Sequence, residues 1–312
     1  MRIGFLGKGG SGKTTIAAGY INYLTGLNKH VLAFDADVNV HLGATLGMQV
    51  KDIASWFPKI VRELDPNRPG ANMFIGTTPP TLATHFITPT ANDEFIKKYA
   101  TQKENISLIT IGTYDGQRAG SACYHSMLGV AEFIGSRLLD SQNSRVVLDM
   151  TAGIDSIGTG MHFIADLNIF VVEATKKSID VYLDFKEKTK NLNLKTLVVI
   201  NQSEGIHDET FVQKYITANE IIAVFGKSQN IKAFEQGENA AFARFVAEHA
   251  NSFAYIETEL SKLNKDWDEY YKKLLKTYQN NCHEWYNGFY GCDLTELVDK
   301  DFSYTKVLAN HA

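Results

Sequence analysis

The sequence is short of several things, and each shortage excludes something. It holds six prolines in 312 residues, all between Pro58 and Pro89. Breaks in regular structure are therefore concentrated there. Residues 50–106 read as a loop-rich insertion over a sheet edge, with a short helix near Asp93–Tyr99. There are three cysteines, Cys123, Cys282 and Cys292. An odd, small number makes no disulfide framework, so they are core residues, metal ligands or thiols of a reducing compartment. No run of eighteen apolar residues occurs, and no transmembrane helix is expected. The chain opens on a strand and a glycine loop rather than a signal peptide, which leads us to expect a cytoplasmic protein. The net charge of −4 offers no basic surface for nucleic acid beyond local patches. Internal repeats and low-complexity tracts are lacking too. What is present is a 44% hydrophobic composition, enough core for one large α/β domain or two small ones.

The chain is organised around Gly7-Lys8-Gly9-Gly10-Ser11-Gly12-Lys13-Thr14-Thr15. An apolar run, Ile3 to Leu6, precedes it and a helical pattern, Ile16 to Leu24, follows. Strand, glycine loop and helix are the setting of a phosphate-binding loop. Glycines let backbone N–H groups turn inward around phosphate oxygens, and the helix N-terminus adds its positive dipole end. In that geometry Lys13 reaches the β- and γ-phosphates and the Thr14 hydroxyl ligates Mg²⁺.

Further motifs fall where such a fold needs them. Val31 to Phe34 is a buried strand ending in Asp35-Ala36-Asp37-Val38-Asn39. Acids at a strand's C-terminal end lie beside the ligand crevice, although Asp35 also suits the capping of the next turn. Ile106 to Thr113 reads as a strand. It leads into the Gly-rich stretch 114–125, which ends in Cys123-Tyr124-His125, and then a helix over Met127–Leu139. Arg145 to Met150 is a strand, and Asp149-Met150-Thr151-Ala152-Gly153-Ile154 has the Walker B and switch II form. There Asp149 holds Mg²⁺ through water and the Gly153 N–H faces the γ-phosphate. Asn168–Val172, Thr196–Ile200 and Ile221–Phe225 are further strands.

The pattern K-G-G-x-G-K-T-T at Lys8 to Thr15 resembles the deviant Walker A box of the MinD/ParA/nitrogenase-iron-protein superfamily, within the SIMIBI class of P-loop proteins. The resemblance implies a P-loop α/β fold: a doubly wound, mostly parallel sheet with helices on both faces. It implies an ATPase whose ATP is sandwiched in a homodimer, each Lys8 reaching the partner's phosphates. It also implies that Asp37 orients the attacking water, that Asp35 supports Mg²⁺ and that Asn201 reads adenine; an Asn at a strand end is also a common turn residue. The Pro-x-Asp pair that relatives set against the base is missing from Gly226-Lys227-Ser228-Gln229.

Over residues 1–260 the motifs resemble the CooC-type nickel-insertion ATPases of carbon monoxide dehydrogenase maturation. These carry a C-x-C pair in the Gly-rich loop, and two pairs across the dimer hold a metal. Here Cys123-Tyr124-His125 keeps one thiolate and substitutes an imidazole. Two such pairs across a two-fold axis would make an S₂N₂ set for Zn²⁺ or Ni²⁺; a buried Cys beside an unrelated His is the plainer reading. The iron–sulfur reductases of the superfamily need a second Cys after switch II, and Ile154 to Phe170 contains none.

The expected organisation is an ATPase domain over 1–264 and a helical appendage over 265–312. In the appendage Trp267, Tyr270, Tyr271, Leu274, Leu275 and Tyr278 recur at helical spacing, flanked by Lys272, Lys273 and Lys276. A helix packed on the domain, a partner-binding helix, and a membrane-surface helix over 266–279 all fit that pattern. Cys282-His283 and Cys292 lie among Trp285, Tyr286, Phe289 and Tyr290, which suggests an aromatic mini-core rather than a zinc site. Two functions remain open: metallocentre maturation on an unnamed client, and a MinD/ParA-like positioning switch acting through a partner, membrane or DNA.

Overall fold

Each central strand is a continuous apolar run because both faces of the sheet are covered. In the computed structural model, which describes residues 1–68, 70, 72–113 and 124–311, these runs form one sheet. Its strand order is β3-β4-β2-β5-β1-β6-β7-β8. The strands are β1 Arg2–Gly7, β2 Val31–Ala36, β3 Thr101–Lys103, β4 Ile106–Thr110, β5 Arg145–Met150, β6 Leu167–Val172, β7 Thr196–Ser203 and β8 Ile221–Gly226. All neighbours are parallel except β3, which runs antiparallel to β4 at the edge. The helices are α1 Lys13–Gly26, α2 Leu42–Thr45, α3 Phe57–Leu64, α4 Glu94–Tyr99, α5 Tyr124–Gly135, α6 Met161–Ile164 and α7 Lys176–Thr189. They continue with α8 Ile206–Gln213, α9 Gln229–Glu235, α10 Ala240–Glu248, α11 Ala250–Ser261, α12 Trp267–Asn281, α13 Asn287–Tyr290 and α14 Tyr304–His311.

Alternate residues of one strand feed two cores. Leu32 and Phe34 of β2 join the core under α3, α4, α5, α7 and α12; Val31 and Ala33 join the core under α1, α10 and α11. The doubly wound, mostly parallel P-loop architecture is therefore as expected.

Several boundaries differ. Within 50–106 the chain forms α3 and the edge strand β3 besides the expected α4. Pro58 stands in the first turn of α3, where a missing N–H costs nothing, so it starts a helix rather than breaking one. The helix expected from Met127 begins at Tyr124 and ends at Gly135, and β4 stops at Thr110. The stretch from Glu238 to Leu263, whose pattern allows one long helix or two, is two, α10 and α11, broken at His249.

The C-terminal segment packs on the first core. Tyr270, Leu274, Phe302, Tyr304 and Val307 are buried in it. Lys265 ties it down through ion pairs to Asp140 at 2.7 Å and Asp166 at 3.3 Å. Ile75, Tyr278, Cys282 and Leu294 make a small separate core with Tyr286 and Tyr290. Trp285 and Phe289, expected to share it, are instead exposed.

Candidate functional site

The loops after β1, β2, β5, β7 and β8 meet at the C-terminal edge of the sheet. There they surround a cleft of about 520 Å³. Gly9, Gly10, Gly12, Lys13, Thr14 and Thr15 form one wall. Gly12 sits at φ +87°, with Asn201 pressed against the place where a Cβ would stand. A side chain there would meet both strain and collision. Ser11 N–H donates to the Lys8 carbonyl at 3.0 Å, closing the loop. Asn201 Nδ2 donates to the Ser11 carbonyl at 2.8 Å. Asn201 lines the cleft, and its amide also braces the phosphate loop from β7.

The Lys13 ammonium lies 2.6 Å from Asp37 Oδ2, as an ion pair rather than an aligned hydrogen bond. Asp37 Oδ1 accepts from the Asn39 N–H and from Asn39 Nδ2, each at 3.0 Å. Burial works to raise the Asp37 carboxyl, but Lys13 and Asn39 outweigh it and hold it below the usual carboxylate value.

Asp35 and Asp149 face each other in register on β2 and β5. Asp35 Oδ2 accepts from Leu42 N–H at 3.0 Å and Gly43 N–H at 3.3 Å, so it does cap α2, while its Oδ1 is buried without a partner. Burial pushes its carboxyl up to about 6, with the backbone N–H groups opposing and Asp37 adding to the rise. Neither Asp149 oxygen makes a hydrogen bond. Burial pushes that carboxyl up to about 7. Lys13 and the Thr14 hydroxyl oppose the rise, close by without an aligned bond, and Asp35 and Asp37 add to it.

Orphaned buried carboxylate oxygens beside a threonine hydroxyl are a hard-oxygen donor set, which fits Mg²⁺. Among the described residues, no three His, Cys, Asp or Glu side chains converge as a cage. Mg²⁺ carried by nucleotide phosphates needs only one or two protein ligands plus water. Asp149 and Thr14 would be the residues to supply them, with Asp35 behind.

Lys8 behaves differently from Lys13. It is not among the residues lining the cleft. Its side chain is 35% exposed, bonded to the Gly9 carbonyl at 3.0 Å and 3.6 Å from Glu173. Gly153, at φ +66°, opens the turn Gly153–Ile157 and follows Ala152, which lines the cleft opposite Gly9. Cys123 lies outside the described residues. His125 is the second residue of α5, and its side chain likewise lies outside them.

Of the far wall, the sequence placed only the Gly226–Gln229 loop near the base; α9 and α10 were not legible as part of a site. Gly226, Lys227 and Ser228 lead into α9, whose Ile231, Lys232 and Glu235 line the cleft with Phe245 of α10. Spacing at i, i+1 and i+4 puts the three α9 residues on one helix face. His41 and Gln202 also line it. The signal was the Ser228 cap: its hydroxyl accepts from the Asn230 N–H, marking a helix start directly after β8.

Residues 5–240 match the CobQ/CobB/MinD/ParA nucleotide binding domain. The chain belongs to this family. Among curated relatives, the carbon monoxide dehydrogenase accessory protein CooC of Rhodospirillum rubrum is 27% identical over 198 residues. That match spans 63% of this chain and 72% of that protein. An uncharacterized ATP-binding protein of Methanocaldococcus jannaschii is 28% identical over 227 residues, 72% of this chain and 84% of that protein. Among solved structures, the septum site-determining protein MinD complexed with Mg-ADP from Pyrococcus horikoshii aligns with a TM-score of 0.52 at 18% identity. It covers 83% of this chain and 93% of its own. A ParA family ATPase from Chlorobium tepidum aligns at 0.53 and 13% identity, covering 80% and 96%. These structures agree with the fold.

Proposed function

We propose that the chain is a Mg²⁺-dependent ATPase of the MinD/ParA type, cycling between an open state and an ATP-sandwiched homodimer. We further propose that it serves as an accessory factor in metallocentre maturation. The observation that carries the reading is the Lys13–Asp37 pair beside the unpartnered carboxylate of Asp149. Incoming γ-phosphate competes with Asp37 for Lys13. The exchange frees Asp37 to orient a water molecule while Lys13 stabilises phosphate charge. Mg²⁺, held through Thr14 and Asp149 with support from Asp35, would neutralise charge on the β- and γ-oxygens. The Gly7–Thr15 loop and the Gly153 N–H bind phosphate oxygens. Asn201 holds the loop and stands near the base end. Lys8, partly exposed beside Glu173 and not lining its own cleft, would serve the partner's.

Similarity to an accessory protein favours a client-directed role, with Cys123 and His125 as the Zn²⁺ or Ni²⁺ ligands. Similarity in fold to MinD and ParA supports the second reading, a positioning switch. Its membrane form through 266–279 loses support because Tyr270, Leu274 and Tyr278 are turned into the protein. No helix among the described residues is long and apolar enough to cross a bilayer.

Lys13→Ala should lower ATP turnover by about a hundredfold or more, since it removes the charge that meets the transferring phosphoryl group. Wild-type phosphate release from the variant would end the active-site assignment. Metal carried by the ATP dimer and lost in Cys123→Ser would favour maturation, and a metal-free dimer would favour the switch.

A further inference from the structure

Glu132 has no part in the chemistry above, yet it is the kind of group a core does not keep idly. It lies in the last turn of α5 and is only 7% exposed. No Lys, Arg or His side chain bonds to it among the described residues. Its Oε1 instead accepts the backbone N–H of Gly160. A carboxylate buried without a cation is costly, and an apolar residue would fill the same space at less expense in stability.

The segments that meet at Glu132 give it a purpose. Gly160 ends the stretch that starts at Gly153, beside the phosphate loop, and leads into α6. That stretch is internally braced: Ser156 Oγ donates to the Gly153 carbonyl at 3.1 Å, and His162 Nδ1 lies 2.7 Å from the Thr159 carbonyl. Between these two bonds the Gly158 N–H donates to the Asp155 carbonyl at 3.1 Å, so a shift at Gly153 would pass along successive braced turns toward Gly160. On α5, Gly129, Glu132 and Gly135 fall at i, i+3 and i+6 on one face. Gly129 packs against Gly76 of the 50–106 region. Gly135 packs against Ile164, 2.9 Å from where its Cβ would stand. Two residues further on, just past the end of α5, Arg137 donates to the Thr78 carbonyl at 2.9 Å. The head of the same helix is Tyr124-His125, directly after Cys123.

We propose that Glu132 is a positioning residue that couples the 153–160 segment of the nucleotide site to helix α5. Through that helix it reaches Tyr124 at the helix head and the 72–81 stretch. This deepens the nucleotide-driven cycle proposed above and rests on it. When γ-phosphate draws Gly153 inward, the Glu132–Gly160 bond makes α5 follow. Without the bond the phosphate is still bound, but α5 stays where it was.

The test is hydrogen exchange over residues 124–135 in Mg-ADP and in Mg-ATP. It is made on wild type, Glu132→Leu and Glu132→Gln, with steady-state turnover measured in parallel. Wild type should exchange at different rates in the two nucleotides. E132L should lose that difference and about tenfold in kcat, while its affinity for Mg-ADP stays within about twofold. E132Q keeps an oxygen for the Gly160 N–H and should retain the difference, a rescue that loss of packing alone would not give. If E132L fails to fold, Glu132→Ala is read by the same comparison. A wild-type response in the variant that lacks the acceptor would overturn the proposal, as would a wild type whose α5 ignores the γ-phosphate. Absence of turnover in wild type would refute the ATPase reading instead, and the exchange comparison would still decide Glu132.

Discussion

Asp35, Asp149 and Glu132 share a property that can be read in solution. Burial holds each carboxyl above its ordinary value, up to about 6, 7 and 7 respectively. A group raised in the folded state favours folding while it is protonated. That contribution is complete below about pH 4 and disappears as pH climbs through 6 to 7. The melting temperature of nucleotide-free, Mg²⁺-free protein should therefore fall as pH rises from about 4 to 7. Asp149→Asn should flatten the fall, read by differential scanning calorimetry, while abolishing turnover, read by phosphate release. A variant as pH-sensitive as wild type would mean that Asp149 ionises freely. At this scale the sequence was most readable where chemistry dictates residue type: Lys13, Thr14, Asp37 and Asp149 all lie together. Glu132 was invisible, since nothing in its neighbours along the chain foretells that a loop N–H will reach it. His41 and Lys232 were hidden for the same reason.

Helix α12 shows how packing decides among readings that periodicity leaves open. Its spacing suited a core helix best and left a partner helix or a membrane-surface helix open. Burial of Tyr270, Leu274 and Tyr278, with Arg2 lying 5.1 Å from the Tyr270 ring centre, selects the first. Leu274 is 1% exposed. Leu274→Ala should cost about 2–5 kcal/mol, by lost transfer energy plus the cavity left behind. Urea denaturation followed by tryptophan fluorescence measures it, and a loss under about 0.5 kcal/mol, the level of a surface change, would place the residue outside the core. Elements with strong local signals were legible: the β1–α1 unit, the parallel strands, α4 with its Asp93 cap. The misses had physical causes. Pro58 initiates α3 instead of interrupting it, β3 is too short to carry a period, and α9 is an amphipathic turn whose apolar face is only half covered.

For the whole molecule, the sharpest question is whether one chain suffices. Lys8 stands partly exposed beside Glu173 and clear of its own cleft. Lys8→Ala should leave the Kd for ATP in monomer within about threefold, because its charge is not directed at that site, while removing turnover that rises with protein concentration. Sedimentation velocity with Mg-ATP, paired with phosphate release, tests this; concentration-dependent turnover that survives the substitution would return catalysis to a single subunit. The open sheet raises a second matter of association. β4, Ile-Ser-Leu-Ile-Thr, is wholly buried and strongly β-forming. Were it the border of the sheet, it would present a row of free backbone groups to any other extended chain. The antiparallel hairpin through Glu104 and Asn105 lays three residues along it, Thr101, Gln102 and Lys103. Lys103 then folds over to donate to the carbonyls of Leu46 and Gly47 at 3.1 and 3.3 Å. What looks like the least consequential strand is thus a guard against fibril-like stacking. Its short length and lysine end make a poor template for strand addition by a neighbouring molecule in a crowded cell.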